Sequence, residues 1–165
     1  MFYNSIIITI FVKQNQDFMK KLLALLLLST LSFAQRPQKI ITKFYIQEAV
    51  QNNVDVTEYY VRENAFIAFF EQDEKLFMTN ILEVSSAQSH GGVEPISQKH
   101  LEETYDSYEA DIYHFNWYYK NTYDNVYGTA EAQFIKVYLE DSVLYVLEIH
   151  CENGDTLIYR GENNK

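Results

Sequence analysis

The chain from residue 57 onward alternates between apolar runs and polar segments. The runs are rich in β-branched and aromatic residues, and most of the polar segments between them are short, which is typical of antiparallel strands joined by tight turns. This pattern predicts seven strands, at residues 57–62, 65–71, 75–84, 110–120, 129–139, 143–151 and 155–160.

Residues 40–53 fit two periodicities. A broad helical face would hold Ile40, Ile41, Phe44, Ala49 and Val50. One side of a strand would hold Ile40, Thr42, Phe44 and Ile46. Because residues 48–51 include good helix formers, we favour a helix over at least residues 43–51, ended by Asn52 and Asn53.

The longest predicted loop covers residues 85–98, which contain Gly91, Gly92 and Pro95. Residues 99–106 are charged and predict a short helical turn with Ser97 as a possible N-cap. Taken in chain order, the elements predict an α+β fold, with an N-terminal helix packed on a curved, mainly antiparallel sheet of about six to seven strands. The alternative is a small lipocalin-like β-barrel.

A leader precedes these elements. Lys20 and Lys21 are followed by an apolar run at 22–31 and by small residues before Gln35, which is the pattern of a signal peptide. We therefore expect residues 19–34 to be a signal peptide cleaved between Ala34 and Gln35. Residues 1–18 are interpreted as a mis-assigned extension with Met19 as the true start, or else as a long n-region that is also removed.

The remaining residues, 35–165, are expected to form a single globular domain that is periplasmic or extracellular. The apolar run at 22–31 is too short to span a bilayer, so we expect no membrane span in the mature chain. No cysteine lies directly after that run, so there is no acceptor for a bacterial lipid anchor. Cys151 is the only cysteine in the chain, which excludes an intrachain disulfide. We expect Cys151 to be buried, with an intermolecular disulfide as the alternative.

The charge balance narrows the choice of partner. The full chain carries a net charge of −10, and residues 35–165 carry −12 because Lys13, Lys20, Lys21 and Asp17 lie in the removed segment. An acidic surface repels phosphate backbones, so nucleic acid is not an expected partner.

Catalytic motifs are missing from the sequence. There is no His-Glu-x-x-His pattern, no Gly-x-Ser-x-Gly elbow and no phosphate-binding loop, and the four histidines lack zinc-finger spacing. We expect no cofactor and no metal, and we favour a protein that is not an enzyme. The alternative is a hydrolase-like enzyme whose site is assembled from loop residues such as His90 and the acids near Glu102.

The strongest candidate for a binding site is the aromatic strand at 110–120. Tyr113, Phe115, Trp117 and Tyr119 alternate and therefore share one face, which suits a sugar or an apolar ligand. The same ribbon would also serve as the core face of the sheet. The sequence thus predicts a non-catalytic binding or interaction module whose partner is a protein, or a small apolar or sugar-like ligand. A structural, envelope-associated role is a further alternative.

Three fragments carry a resemblance. The leader end Ser32-Phe33-Ala34-Gln35, the turn Asn121-Thr122-Tyr123-Asp124 and the run Gly128-Thr129-Ala130 resemble small exported proteins of unknown function from Bacteroidetes-type bacteria. The resemblance implies a periplasmic or outer-surface setting. It implies no activity and no catalytic residue.

Overall fold

Buried and exposed residues alternate along several segments between residues 39 and 162, and in the computed structural model most of these residues form one antiparallel sheet. The structure describes residues 38–163; the predicted extension at 1–18 and the predicted signal peptide at 19–34 lie outside them. The described strands are β1 (Lys39–Gln51), β2 (Val54–Asp55), β3 (Phe66–Gln72), β4 (Lys75–Leu82), β5 (Ala87–Leu101), β6 (Ala110–Asn121), β7 (Tyr127–Tyr138), β8 (Val143–Cys151) and β9 (Thr156–Glu162). One short helix, α1 (Thr57–Arg62), joins β2 to β3 in the described part of the chain.

Strand β1 closes the sheet into an eight-stranded antiparallel barrel. It pairs with β3 through residues 39–45 and with β9 through residues 45–51, while β3 to β9 pair in chain order. Two register shifts, after Ile40 and after Ile46, mark bulges of the kind that bend a strand. At the seam, a Cβ on Gly161 would lie 1.8 Å from the Tyr45 carbonyl oxygen, so only glycine allows this approach.

The expected α+β fold with an N-terminal helix is wrong. Residues 43–51 belong to β1, where Thr42, Phe44 and Ile46 are buried on one side of the strand. Helix propensity at 48–51 amounts to tenths of a kcal/mol per residue, whereas β1 gains ladder hydrogen bonds with β3 along its first half and with β9 along its second half. The alternative of a small closed barrel matches the observed strand arrangement, without establishing a relation to lipocalins.

The strand predicted at 57–62 is also wrong, because these residues form α1. The Thr57 N–H donates to Asp55 Oδ1 at 2.8 Å, and the Thr57 side chain bonds the Ala49 backbone, which fixes the start of the helix against β1. Tyr60 then packs on the core. Tertiary contacts decide the conformation here against the strand preference of the tyrosines and Val61.

The loop predicted at 85–98 and the helical turn predicted at 99–106 are wrong as well. Most of these residues form β5, the longest described strand. Gly91 sits where a Cβ would lie 1.8 Å from the Tyr118 carbonyl oxygen, and Pro95 lies at a register shift. Both residues serve a bent barrel strand, in which glycine permits a close approach and a bulge tolerates proline.

The core fills the barrel interior with large residues placed opposite small ones. Trp117 lies opposite Ala130, Phe115 opposite Ala132 and Tyr159 opposite Ala49 in the register of neighbouring strands. The completely buried side chains of the described residues include Phe44, Ile67, Met78, Leu147, Ile149 and Tyr159. The barrel is therefore held by a continuous hydrophobic core, without a disulfide.

No helix in residues 38–163 is long and apolar enough to cross a membrane.

Candidate functional site

One half of the barrel interior is closed by aromatic and amide side chains. We call this the closed half and define it by Tyr60, Asn80, Trp117, Tyr119 and Tyr159. The Tyr60 and Tyr159 hydroxyls lie 2.9 Å apart, and Asn80 Nδ2 donates to the Tyr159 hydroxyl at 3.2 Å. Helix α1 contributes Tyr60, so its position over the core completes this network.

The other half contains an open pocket of about 390 Å³. Its apolar lining consists of Ile41, Phe69, Leu76, Val93, Pro95, Ile96, Tyr113, Phe115 and Phe134. Its polar lining consists of Thr42, Ser97, Gln98, His114 and Lys136. The volume lies within the range of small-molecule sites, roughly 300 to 1,000 Å³, and mostly apolar walls with a few polar groups are typical of them.

The base of the pocket is an aromatic floor formed by Phe69, Phe115 and Phe134. The Phe69 ring lies 4.7 Å from the Phe134 ring and 5.8 Å, edge to face, from the Phe115 ring. Phe134 also stacks on Tyr145 at 5.9 Å. Because these rings belong to the buried core, the floor is fixed by packing and not by the ligand.

Among residues 38–163, Lys136 is the only Asp, Glu, Lys or Arg that lines this pocket. It lies on β7 two residues after Phe134, and therefore on the same face as the aromatic floor. Its Nζ lies 5.5 Å from the centre of the Tyr113 ring, within cation–π distance. The pocket thus combines apolar walls with one positive charge.

A polar cluster lies next to the pocket, and we call it the rim cluster: His100, Asp111, Tyr113 and Tyr138. Asp111 Oδ2 accepts the Tyr138 hydroxyl at 2.7 Å, and Asp111 Oδ1 lies 2.9 Å from His100 Nδ1. The Tyr113 hydroxyl lies 3.5 Å from Oδ2. Strand β6 brings this cluster to the pocket, since Asp111, Tyr113 and Phe115 share one face.

The hydrogen bonds of the rim cluster shift its pKa values. The Tyr138 hydroxyl and then His100 hold the pKa of Asp111 below its ordinary value. The bond to Asp111 raises the pKa of His100, and it raises the pKa of Tyr138 to about 12. The cluster is therefore arranged to keep Asp111 ionised and His100 protonated over a wider pH range than in isolation.

A His–Asp pair can orient a catalytic base, but this one lacks the rest of a nucleophilic site. His100 Nε2 faces Glu109 Oε1 at 3.9 Å, and not a serine, threonine or cysteine side chain. Within residues 38–163, no three His, Cys, Asp or Glu side chains converge as they would to hold a metal ion.

The predicted aromatic ribbon divides between the two halves of the barrel. Tyr113 and Phe115 line the pocket. Trp117 is only 3% exposed, and its ring stacks on Tyr119 at 4.5 Å within the closed half. The Tyr119 hydroxyl donates to Cys151 Sγ at 3.8 Å, and burial raises the pKa of Cys151, which is partly buried.

Most of the loop on which the hydrolase alternative depends is part of strand β5. His90 lies in β5 and stacks on Phe77 at 5.7 Å, and burial lowers its pKa. At about 3.3 Å per residue, β5 extends on the order of 35 Å from His90 to its end at Leu101, next to Glu102. A site that combines these two residues is therefore not supported.

Sequence reasoning missed several pocket residues, above all Phe69, Leu76, Phe134 and Lys136. A signal was present on β7, where Phe134, Lys136 and Tyr138 alternate and place one lysine between two aromatic residues on a single face. No comparable pattern marks Phe69 on β3 and Leu76 on β4 as pocket residues, because their place in the pocket depends on closure of the barrel.

Comparisons with protein-family models, with curated proteins and with solved structures find no match for this chain. The pocket geometry therefore has to support a functional proposal by itself.

Proposed function

We propose that this protein is a non-catalytic binding module that holds a small apolar ligand in the open half of its barrel. The supporting observation is the 390 Å³ pocket with its aromatic floor. A fixed apolar cavity of this size loses little conformational freedom when a ligand enters, which favours binding.

An apolar ligand suits this pocket better than a sugar. Most lining residues are aliphatic or aromatic, and the hydrogen-bonding side chains are few: Thr42, Ser97, Gln98, His114, Lys136 and the Tyr113 hydroxyl. A sugar buried here would leave hydroxyl groups without partners, and each such group costs about 1–3 kcal/mol. An alkyl or aryl group would instead gain from contact with the floor.

The first test uses N-phenyl-1-naphthylamine, a neutral apolar dye whose fluorescence rises in apolar sites. Val93→Phe places a larger side chain in the pocket and should weaken dye binding about tenfold or more. Val84→Phe is the matched control, because Val84 is 68% exposed and lies outside the pocket lining. Thermal unfolding of both variants checks that the fold persists. Equal dye affinity in the two variants, or no saturable binding to the native protein, would contradict the proposal.

We further propose that the protein acts after export, in the periplasm or outside the cell. The support is the leader at 19–34 and the small residues before Gln35. Mass spectrometry of protein recovered from the envelope or the medium should find a chain beginning at Gln35. A recovered mass that still includes residues 19–34 would contradict the cleavage.

A further inference from the structure

We infer that the ligand of this pocket is an anionic amphiphile, whose acidic head group pairs with Lys136 while its apolar tail lies on the aromatic floor. This inference rests on the proposed binding function and specifies its ligand class. The ligand could be a carboxylate, sulfate or phosphate monoester, since these share the charge and the oxygen acceptors that an ammonium group binds.

The first argument is charge complementarity within the pocket. Lys136 supplies the one formal charge of the lining, and no carboxylate among residues 38–163 lies within 4 Å of its ammonium group. An ammonium group without an ion-pair partner within 4 Å gains Coulomb energy from an incoming anion.

The second argument concerns Asp111, the residue opposite Lys136 in the β6–β7 register. Asp111 Oδ2 accepts the Tyr138 hydroxyl and Oδ1 lies 2.9 Å from His100 Nδ1, and no ion pair within 4 Å joins Asp111 to Lys136, although the lysine charge also helps to lower the pKa of Asp111. The ammonium group lies near the Tyr113 ring instead. Lys136 therefore makes no direct ion pair with Asp111, and its ammonium group can contact a ligand.

The third argument is orientation. Phe134 and Lys136 share one face of β7, so the floor and the positive charge succeed each other along a single strand. Gln98, Ser97 and Thr42 also line the pocket and offer amide and hydroxyl donors to an anionic head. A ligand with an acidic head and an apolar tail would therefore match the sequence of groups from rim to floor.

The acidic net charge of the chain does not oppose this arrangement. Charges more than about 8 Å apart are largely screened at physiological ionic strength, so the local contact decides the preference. Distant carboxylates would slow the arrival of an anion more than they would weaken the bound state.

The experiment displaces the bound dye with three probes that share a tail and differ in head charge: decanoate, decanol and decyltrimethylammonium. The native protein should bind decanoate about fivefold more tightly than decanol, with the cation weakest, as expected for about 1 kcal/mol of ion pairing. Lys136→Met should remove the preference for decanoate over decanol. Lys136→Glu should reverse the preference and favour the cation.

Lys120→Met is the matched control. Lys120 lies on β6 and, like Lys136, places its Nζ near a tyrosine ring, at 5.3 Å from Tyr127, but it does not line the pocket. This variant should keep the preference for decanoate.

Two results would overturn the inference and leave the proposed function standing: equal affinity of the native protein for decanoate and decanol, or the same loss of preference in the Lys120 variant. If none of the three probes displaces the dye and Val93→Phe does not change dye binding, the proposed function fails together with the inference. A reversed preference in Lys136→Glu supports both.

Discussion

The two halves of the barrel interior are built from similar residues, yet one is filled and the other is open. In the closed half, each large ring has a small neighbour, as with Trp117 opposite Ala130, so the rings can extend across the barrel. In the pocket half, Tyr113 lies opposite Phe134, and the two rings stack at 6.1 Å. This pairing of two large residues is a feature of the pocket half, although Phe115 beside it lies opposite the small Ala132, as Trp117 lies opposite Ala130.

The two halves also differ in how their polar groups are satisfied. The hydroxyl of Tyr159 is fully enclosed and bonded to Tyr60 and Asn80, whereas Asn80 Oδ1 and Trp117 Nε1 are buried without a hydrogen-bond partner among the described residues. The rim cluster beside the pocket is partly exposed, and its bonds involve ionised groups. The closed half should therefore dominate stability, whereas the pocket half should govern ligand binding and the response to mild pH changes.

The largest expected loss of stability comes from a substitution that forces β5 and β6 apart at the closed half. Gly91→Ala places a Cβ 1.8 Å from the Tyr118 carbonyl oxygen, and backbone must move to relieve this contact. We expect a loss of about 3 kcal/mol or more in the free energy of unfolding, measured by urea denaturation. Gly92→Ala is the control, because nothing lies within 4 Å of its added Cβ. Similar losses in the two variants would show that the close approach at Gly91 is not the cause.

A smaller effect is expected from removing one hydroxyl in each half. Tyr159→Phe leaves Tyr60 and Asn80 without their buried partner, which should cost about 1–3 kcal/mol of unfolding free energy. Tyr113→Phe removes only a long contact to Asp111 at 3.5 Å and should cost under about 0.5 kcal/mol. Denaturation of both variants makes the comparison, and equal costs would remove the distinction between the two halves.

The smallest expected effect is a pH dependence of the free energy of unfolding, which arises from the rim cluster. The ordinary pKa values of Asp111 and His100 are 3.8 and 6.5. The lowered pKa of Asp111 contributes stability that is present above pH 3.8 and is lost as the pH falls through the pKa of Asp111 in the folded protein. The raised pKa of His100 contributes stability below 6.5 that is lost as the pH rises through its folded value. The stability difference between the native protein and Asp111→Asn should therefore be largest between about pH 4 and 6.5.

NMR titration of His100 provides the direct measurement. Its pKa should lie above 6.5 in the native protein and fall in Asp111→Asn. By contrast, burial raises the pKa of Tyr159 well above 10, so the stability that its neutral form contributes is lost only in strong alkali. An unchanged His100 pKa in the variant would show that Asp111 does not hold the rim cluster.

Several strands were predictable because their signals are local. Alternation on β6 placed Tyr113, Phe115, Trp117 and Tyr119 on one face, and burial of Phe115 and Trp117 confirms which face is inside. The same alternation and the polar turns between strands predicted β3, β4, β7, β8 and β9 close to their observed positions. In these segments neighbouring residues supply both the strand preference and the turn chemistry.

The errors fall where distant contacts decide the local structure. Residues 43–51 are good helix formers in part, but β1 is a strand because β3 and β9 pair with its two edges. Residues 85–98 contain glycine and proline that usually end a strand, and here they shape the bend of β5. The rim pair of His100 and Asp111 depends on the β5–β6 register and has no counterpart in sequence spacing.

The sequence by itself determined which residues form most of the strands and which side of each strand is apolar, because alternation and turn residues act over a few positions. Only the tertiary structure decided that the sheet closes on β1, that Trp117 is core while Phe115 borders a pocket, and that Lys136 lies above Phe69 and Phe134 as neighbours of one cavity. These outcomes depend on the register of the strands around the closed barrel, and that register is set by contacts between residues far apart in the chain.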